Sequence, residues 1–376
     1  MYDSILTLMD NFTFGKDDSL FVLANISDVA PGAEGSGFMR IFTVVGLALL
    51  SLSGVVGNTL VCIVLQKIRK KSSMDCLILV LALADLGILI VEVPIILIRI
   101  QLDEIWPLGE ATCKLVYPIQ DVFFGISIWV IVTIALERYQ KIVHIAKGFV
   151  RRLRRELYLI VVAIIALNFL VFSLPLFFLV DFKKVSGSWY CVVQWPEWAE
   201  LPGHMNIAYQ AHTILIVIAG YLSPLGIILA TYASISRHLK KSNFFLRRCV
   251  PTCPEQAPIP GQSLRLKQNA RAKRLLTPVV VAFAVTMLPL NVLRLAVIYV
   301  KIPNSAFRVI FPVACALVAV NSVVNPFIYT FTNKNFKLAV KRLFCGGVSK
   351  NMQWTGIFSS RRQRQYEITP APASSV

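Results

Sequence analysis

Seven stretches of mostly apolar residues dominate this chain, at roughly 41–66, 74–98, 113–136, 157–180, 207–235, 275–300 and 306–331. A helix needs about 20 such residues to cross the hydrocarbon core of a bilayer. In lipid, only a segment that satisfies its own backbone hydrogen bonds can make that crossing. The expected fold class is therefore an all-α membrane protein, a seven-transmembrane helix bundle. Composition agrees. Of 376 residues, 15% are charged and the mean hydropathy is +0.67, whereas a soluble domain carries roughly 25% charged residues. No second compositional block appears. The chain divides into an N-terminal arm (1–40), the bundle (41–331), a basic amphipathic stretch (332–345) and a polar tail (346–376).

A net charge of +18 would suggest nucleic acid for a soluble protein, but here its distribution matters more than its sum. The first, third and fifth connections are basic: Lys67 to Lys71, Lys141 to Arg155, and Arg237 to Arg274. The connections between them are acidic or balanced, and the arm carries Asp3, Asp10, Asp17, Asp18, Asp28 and Glu34 against Lys16 and Arg40. Basic loops stay cytoplasmic. The expected orientation is an extracellular N-terminus and a cytoplasmic C-terminus, at the plasma membrane, with no nucleic-acid partner. The tripeptides Asn11-Phe12-Thr13 and Asn25-Ile26-Ser27 fall on the outer side and read as glycosylation sites. Met1 to Leu8 lacks a basic start and a long apolar run, so the first span is expected to act as its own insertion signal. The basic inner face is also suited to anionic membrane lipid.

The eight cysteines sort by compartment. Cys113 and Cys191 are the two expected outside, where an oxidising milieu makes a Cys113–Cys191 disulfide the strong reading. Cys62, Cys76 and Cys315 read as small buried hydrophobes. Cys249 and Cys253 lack a second ligand pair for zinc. Cys345, after the basic amphipathic stretch, is a candidate for palmitoylation.

At 100° per residue, helical periodicity says which intramembrane polar groups can share a cavity. Asp85 and Glu92 are seven apart, and Gln120, Ser127 and Arg138 fall on one face of the third span. Asn321, Ser322 and Asn325 cluster just before Pro326. A carboxylate in mid-membrane is costly unless paired or solvated. Asp85, Ser127, Asn321, Ser322 and Asn325 could together offer oxygens to sodium; the alternative is a hydrogen-bonded network that packs the helices. Nearer the outside, Glu92, Gln120, Asp121, Arg99 and Arg294 fit a polar ligand pocket, or else a Glu–Arg bridge locking helices. Met287 and Asn291 lie on the same span as Arg294 and join the expected pocket.

These residues fall into a pattern. Gly57-Asn58 stands in span one and Leu81-Ala82-Leu83-Ala84-Asp85 in span two. Span three has Cys113 at one end and Glu137-Arg138-Tyr139 at the other; span five has Pro224 and Tyr232. Span six has Phe283 and Pro289, and span seven Asn325-Pro326-Phe327-Ile328-Tyr329, followed by Phe336. The chain resembles the rhodopsin-like (class A) family of G protein-coupled receptors over essentially its whole membrane region. The resemblance implies a short amphipathic eighth helix, a heterotrimeric G protein and arrestin as inner partners, and no covalent cofactor. It also implies that Glu137 restrains Arg138 at rest, and that span six swings outward to free it. Tyr232 and Tyr329 would then turn inward, and sodium at Asp85 would favour the closed state. Three departures stand out. Met287 occupies the usual tryptophan position in Thr286-Met287-Leu288-Pro289, span four lacks the common tryptophan, and the acid that often pairs with the span-three arginine is absent just before span six, where Arg271, Lys273 and Arg274 stand instead.

The inward position of span three holds Gln120 rather than the aspartate of amine receptors, with Asp121 turned about 100° away. Ala319 stands where opsins carry their lysine, which excludes covalent retinal. The stretch Lys183 to Val193 reads as a hairpin, similar to the lid of the peptide-binding branch. The expected ligand is a neuropeptide, and the acids Asp103, Glu104, Glu110 and Glu92 near the mouth suit a basic one. A receptor for a non-peptide small molecule and a ligand-free, constitutively active receptor-like protein stay open. Ser374-Ser375-Val376 matches a PDZ-ligand pattern, making a PDZ protein a candidate partner. No nucleophile–base pair, phosphate loop or metal-ligand set supports an enzyme, and no internal repeat supports a transporter.

Overall fold

The computed structural model describes residues 34–68, 71–143, 147–185, 187–199, 205–252, 260–300, 302–332 and 334–345. The sequons at Asn11 and Asn25, Cys253 and the tail ending in Ser374-Ser375-Val376 lie outside these residues.

Among the described residues, seven helices are long and apolar enough to cross a membrane. They are α1 (Glu34–Gln66), α2 (Ser73–Gly87, continued by Ile88–Glu92 and Val93–Gln101) and α3 (Gly109–Val143). Next come α4 (Lys147–Asn168, continued by Phe169–Ser173 and Leu174–Leu179) and α5 (Ile207–Val217, continued by Ile218–Leu222 and Ser223–Thr252). The last two are α6 (Pro260–Tyr299) and α7 (Asn304–Thr332), after which a short helix, α8, spans Lys334–Cys345. Phe336 and Ala339 of α8 are buried while Lys337 and Lys341 are exposed, the amphipathic pattern expected of this stretch. Between α4 and α5 lies an antiparallel hairpin of β1 (Val180–Val185) and β2 (Ser188–Val193), with Phe182 opposite Cys191. Its turn includes Gly187 at φ 89°, left-handed backbone that a side chain would disfavour. The hairpin expected between Lys183 and Val193 is thus present.

Three helices depart from uniform winding, and each does so at the same place relative to a proline. The π-helical turns Ile88–Glu92, Phe169–Ser173 and Ile218–Leu222 end two residues before Pro94, Pro175 and Pro224. A proline donates no hydrogen bond and its ring crowds the carbonyl four residues back. A wide turn relieves that crowding by letting the preceding carbonyls bond at i+5. The freed groups are also used between helices: Ser51 Oγ donates to the Leu89 carbonyl at 3.0 Å, joining α1 to the wide turn of α2. One consequence is that a uniform 100° count does not run from Asp85 to Glu92.

Helix α3 is the hub, packing on α2, α4, α5, α6 and the hairpin. A continuous apolar core including Leu81, Ile128, Ile131, Phe283, Met287 and Tyr329 fills the bundle. Close helix approach rests on small residues. A Cβ placed at Gly125 would stand 1.9 Å from Asn168 Oδ1, so α3 and α4 meet where no side chain fits. The second helix starts with a reciprocal cap in which Ser72 N donates to Asp75 Oδ2 (2.7 Å) and Asp75 N to Ser72 Oγ (3.2 Å).

Candidate functional site

At the hairpin end, the Cys113–Cys191 disulfide fastens β2 to the start of α3, with Cα atoms 5.5 Å apart. Trp106, 2% exposed, holds the same strand a second time: its backbone N–H donates to the Trp189 carbonyl at 2.8 Å. Phe182 and Trp189 stack across the strands at 4.5 Å. The lid is therefore anchored at two points along β2.

Beneath it, Glu92 of α2, Asp121 of α3 and Arg294 of α6 interact electrostatically across the space between their helices. Asp121, turned off the inward face by the helical count, still falls within the field of Arg294. His212 of α5 also interacts with Arg294 and packs against Trp195 at 5.2 Å. Neither His212 nor Trp195 was singled out from the sequence; a histidine on an apolar span was the available signal. Arg294 Nη1 and His212 Nε2 are buried without a hydrogen-bond partner among the described residues. Gln120 is half-buried beside Asp121. Asn291 donates through Nδ2 to the Met287 carbonyl at 2.8 Å, and its Oδ1 is buried without a partner among the described residues. Met287 itself is 2% exposed and belongs to the core.

The acids expected at the mouth are mostly matched by cations. Arg99 bonds Glu104 and lies over the Tyr117 ring at 5.9 Å; Arg40 is 3.6 Å from Asp103; Lys114 donates to Glu110 at 2.6 Å. Left-handed backbone at Asp103 (φ 47°) and Glu104 (φ 68°) turns the chain back so that Glu104 reaches Arg99. Arg99 is thereby drawn away from Glu92, and the acidic character of the pocket comes from Glu92 and Asp121.

Midway down the bundle Asp85 is fully buried, and Phe283 on α6 is equally sealed. Ser127 Oγ donates to Asp85 Oδ1 and Asn325 Nδ2 to Asp85 Oδ2, each at 2.9 Å. Ser322 of α7 interacts with this carboxylate, and Asn321, next in the chain, is buried too. Asn58 Nδ2 donates to the carbonyls of Gly54 and Ser322, both at 3.0 Å, tying α1 to α7 just behind the group. Among the described residues no cation forms an ion pair with Asp85. The donor set is a carboxylate with hydroxyl and amide oxygens, which fits a hard monovalent cation.

At the opposite end from the hairpin, Glu137 of α3 is 2% exposed. Its Oε2 lies 3.6 Å from Arg138 Nε, and its Oε1 accepts a hydrogen bond from Lys141. The sequence reading counts Lys141 only among the basic residues of the third connection; its four-residue spacing from Glu137 is the signal for this pair. The adjoining Tyr139 is half-buried against the core. Tyr232 of α5 and Thr277 of α6 share a hydroxyl–hydroxyl bond of 3.1 Å. Tyr329, 3% exposed, packs edge-on against Phe336 of α8 at 6.4 Å, one turn beyond Pro326.

Residues 57–329 match the family model described as 7 transmembrane receptor (rhodopsin family). The chain is 28% identical to the galanin receptor type 1 of Rattus norvegicus, over 85% of this chain and 88% of that one. It is 28% identical to the somatostatin receptor type 2 of Sus scrofa, over 78% and 74% of the two chains. It is also 29% identical to the neuropeptide FF receptor 1 of Homo sapiens, over 80% and 69%. With seven membrane-spanning helices, a polar centre at Asp85 and the match across the bundle, the chain belongs to the rhodopsin family of seven-transmembrane, G protein-coupled receptors.

Proposed function

We propose that this receptor binds an extracellular peptide at the hairpin end and activates a heterotrimeric G protein by opening the end that carries Arg138. The carrying observation is the Glu92–Asp121–Arg294 group beneath the hairpin. Two acids and one base share a space walled by protein, and low local dielectric makes charge matching there selective. A ligand with a cationic group between Glu92 and Asp121, and an acceptor toward Arg294 and His212, complements it. Gln120, Met287 and Asn291 complete the proposed pocket. The names of its relatives, receptors for galanin, somatostatin and neuropeptide FF, support a peptide.

Activation is a shift between two states of the bundle, driven by the ligand's higher affinity for the open one. The Tyr232–Thr277 bond joins α5 to α6 in the resting arrangement, and outward movement of α6 would break it. Tyr232 and Tyr329 then turn toward Arg138, with Asn325 and Pro326 as the pivot of α7. Asp85, Ser127, Asn321, Ser322 and Asn325 would hold a sodium ion, which would supply the positive charge this buried carboxylate lacks among the described residues. The basic loops favour a cytoplasmic C-terminus, and arrestin, a PDZ protein and anionic lipid are the further partners proposed on that side. Palmitoylation of Cys345 and glycosylation of Asn11 and Asn25 follow from that orientation.

The test is nucleotide exchange on a panel of G proteins with the expressed receptor, with and without a neuropeptide library. Exchange driven by a peptide, and abolished by Arg138→Ala, is expected. Response to amines and to no peptide would overturn the peptide reading.

A further inference from the structure

We infer that Lys141 is a positioning residue for nucleotide exchange: it competes with Arg138 for Glu137 and so sets how firmly the resting bundle holds Arg138. The inference rests on the G protein-activating reading above.

The geometry is local. Glutamate and lysine four apart on a helix face each other, and glutamate on the N-terminal side is the favourable order. Glu137 and Lys141 meet that rule on α3 and are hydrogen-bonded through Oε1. The Glu137 side chain is 1% exposed, so its interactions are poorly screened, whereas that of Lys141 is 26% exposed. What remains for Arg138 is Oε2, and the ion-pair contact there is from Nε at 3.6 Å. That distance exceeds a hydrogen bond, and Oε2 has no hydrogen-bond partner among the described residues. A carboxylate has room for a two-bond fork with a guanidinium, the strongest arrangement available to this pair. Here the fork is not made.

Lys141 lowers the hold on Arg138 twice over. It neutralises the carboxylate that attracts the guanidinium, and its own charge repels that guanidinium. Span six offers no substitute, since residues 260–299 contain no aspartate or glutamate, only Arg265, Lys267, Arg271, Lys273, Arg274 and Arg294 as charges. Lys141 therefore lowers the share of the resting hold that Glu137 supplies, and a lysine at this position raises ligand-free exchange.

The deciding experiment measures ligand-free nucleotide exchange by the full-length receptor, normalised to surface expression, for wild type, K141M, K141R, E137Q and K141M/E137Q. Expected is a several-fold fall for K141M, a rate at or above wild type for K141R and a rise for E137Q. K141M is expected to have a clearly smaller effect once E137Q is in place, since only the direct repulsion of Arg138 then remains. An unchanged or raised rate for K141M, or an equal effect in both backgrounds, overturns the proposal. Thermal unfolding of the purified receptor gives a readout that needs no G protein. The coupling between Glu137 and Arg138, from a cycle of E137Q and R138Q, is expected to strengthen in the K141M background. Equal coupling in both backgrounds overturns the proposal. Absence of exchange by every variant, E137Q included, instead counts against the G protein reading, and the unfolding cycle still decides the role of Lys141.

Discussion

The charges of this protein illustrate how position, rather than number, assigns a role. Asp103, Glu104 and Glu110 sit at the rim with cationic neighbours within reach. The more exposed pairs, Arg40–Asp103 and Lys114–Glu110, contribute little, about 0–1 kcal/mol, and Glu104 is taken up by the half-buried Arg99. Glu92 and Asp121 lie deeper and share Arg294 between them. Hydrogen bonds to charged groups are worth about 1.5–3 kcal/mol each, and about 1.4 kcal/mol is tenfold in affinity. Asp121→Asn and Arg294→Gln are therefore each expected to weaken a peptide agonist about ten- to a hundred-fold in a dose–response assay, with surface expression retained. Asp103→Asn is expected to shift potency by less than about threefold, because Asp103 is at the rim and paired with Arg40. Equal shifts for the rim and deep acids would place the ligand at the mouth instead. In the double variant Asp121→Asn/Arg294→Gln the losses should not add, since residues sharing one field couple.

Among the elements, α3 and α4 are joined at a point with no spare room. Gly125 faces Asn168, and Asn168 Nδ2 donates to the Ile164 carbonyl at 2.7 Å, which fixes its side chain against the gap. Overpacking of this kind costs about 1–3 kcal/mol, more than the ~1 kcal/mol that alanine gains over glycine in a helix. Gly125→Ala is therefore expected to lower the melting temperature of the purified receptor, and Asn168→Ala in the same chain to restore most of it. The hairpin predicts a different split: Cys113→Ser with Cys191→Ser should abolish peptide response while leaving a helical bundle by circular dichroism. The spans, the hairpin and the cysteine pair were legible because each depends on local pattern or on compartment. The wide turns in α2, α4 and α5 were missed, though Pro94, Pro175 and Pro224 mark all three, because uniform periodicity assumes unbroken winding. The Arg99–Glu104 bond was not legible, since it depends on two left-handed residues that no pattern at Asp103 and Glu104 announces.

Across the whole molecule, Asp85 is a buried carboxylate that ties several helices together between the two ends. Asp85 is hydrogen-bonded to α3 and α7 at once, and Asn58 carries the link on to α1. A cation held there by residues from α2, α3 and α7 binds one packing of those helices better than another. If that packing is the closed one, as proposed above, the ion would stabilise the closed bundle by mass action, by about 1.4 kcal/mol when sodium stands at ten times its Kd. Raising sodium against N-methylglucamine at constant ionic strength is expected to raise the melting temperature of the wild type and to leave Asp85→Asn unmoved. Linkage then fixes the sign of a second measurement: if sodium favours the closed state and the peptide the open one, each must weaken the other by the same factor. Agonist affinity should fall as sodium rises, and the sodium effect should disappear in Asp85→Asn. A receptor that melts higher in sodium yet binds agonist equally well with and without it would separate the two, and would mean that Asp85 packs the helices without taking part in their switch.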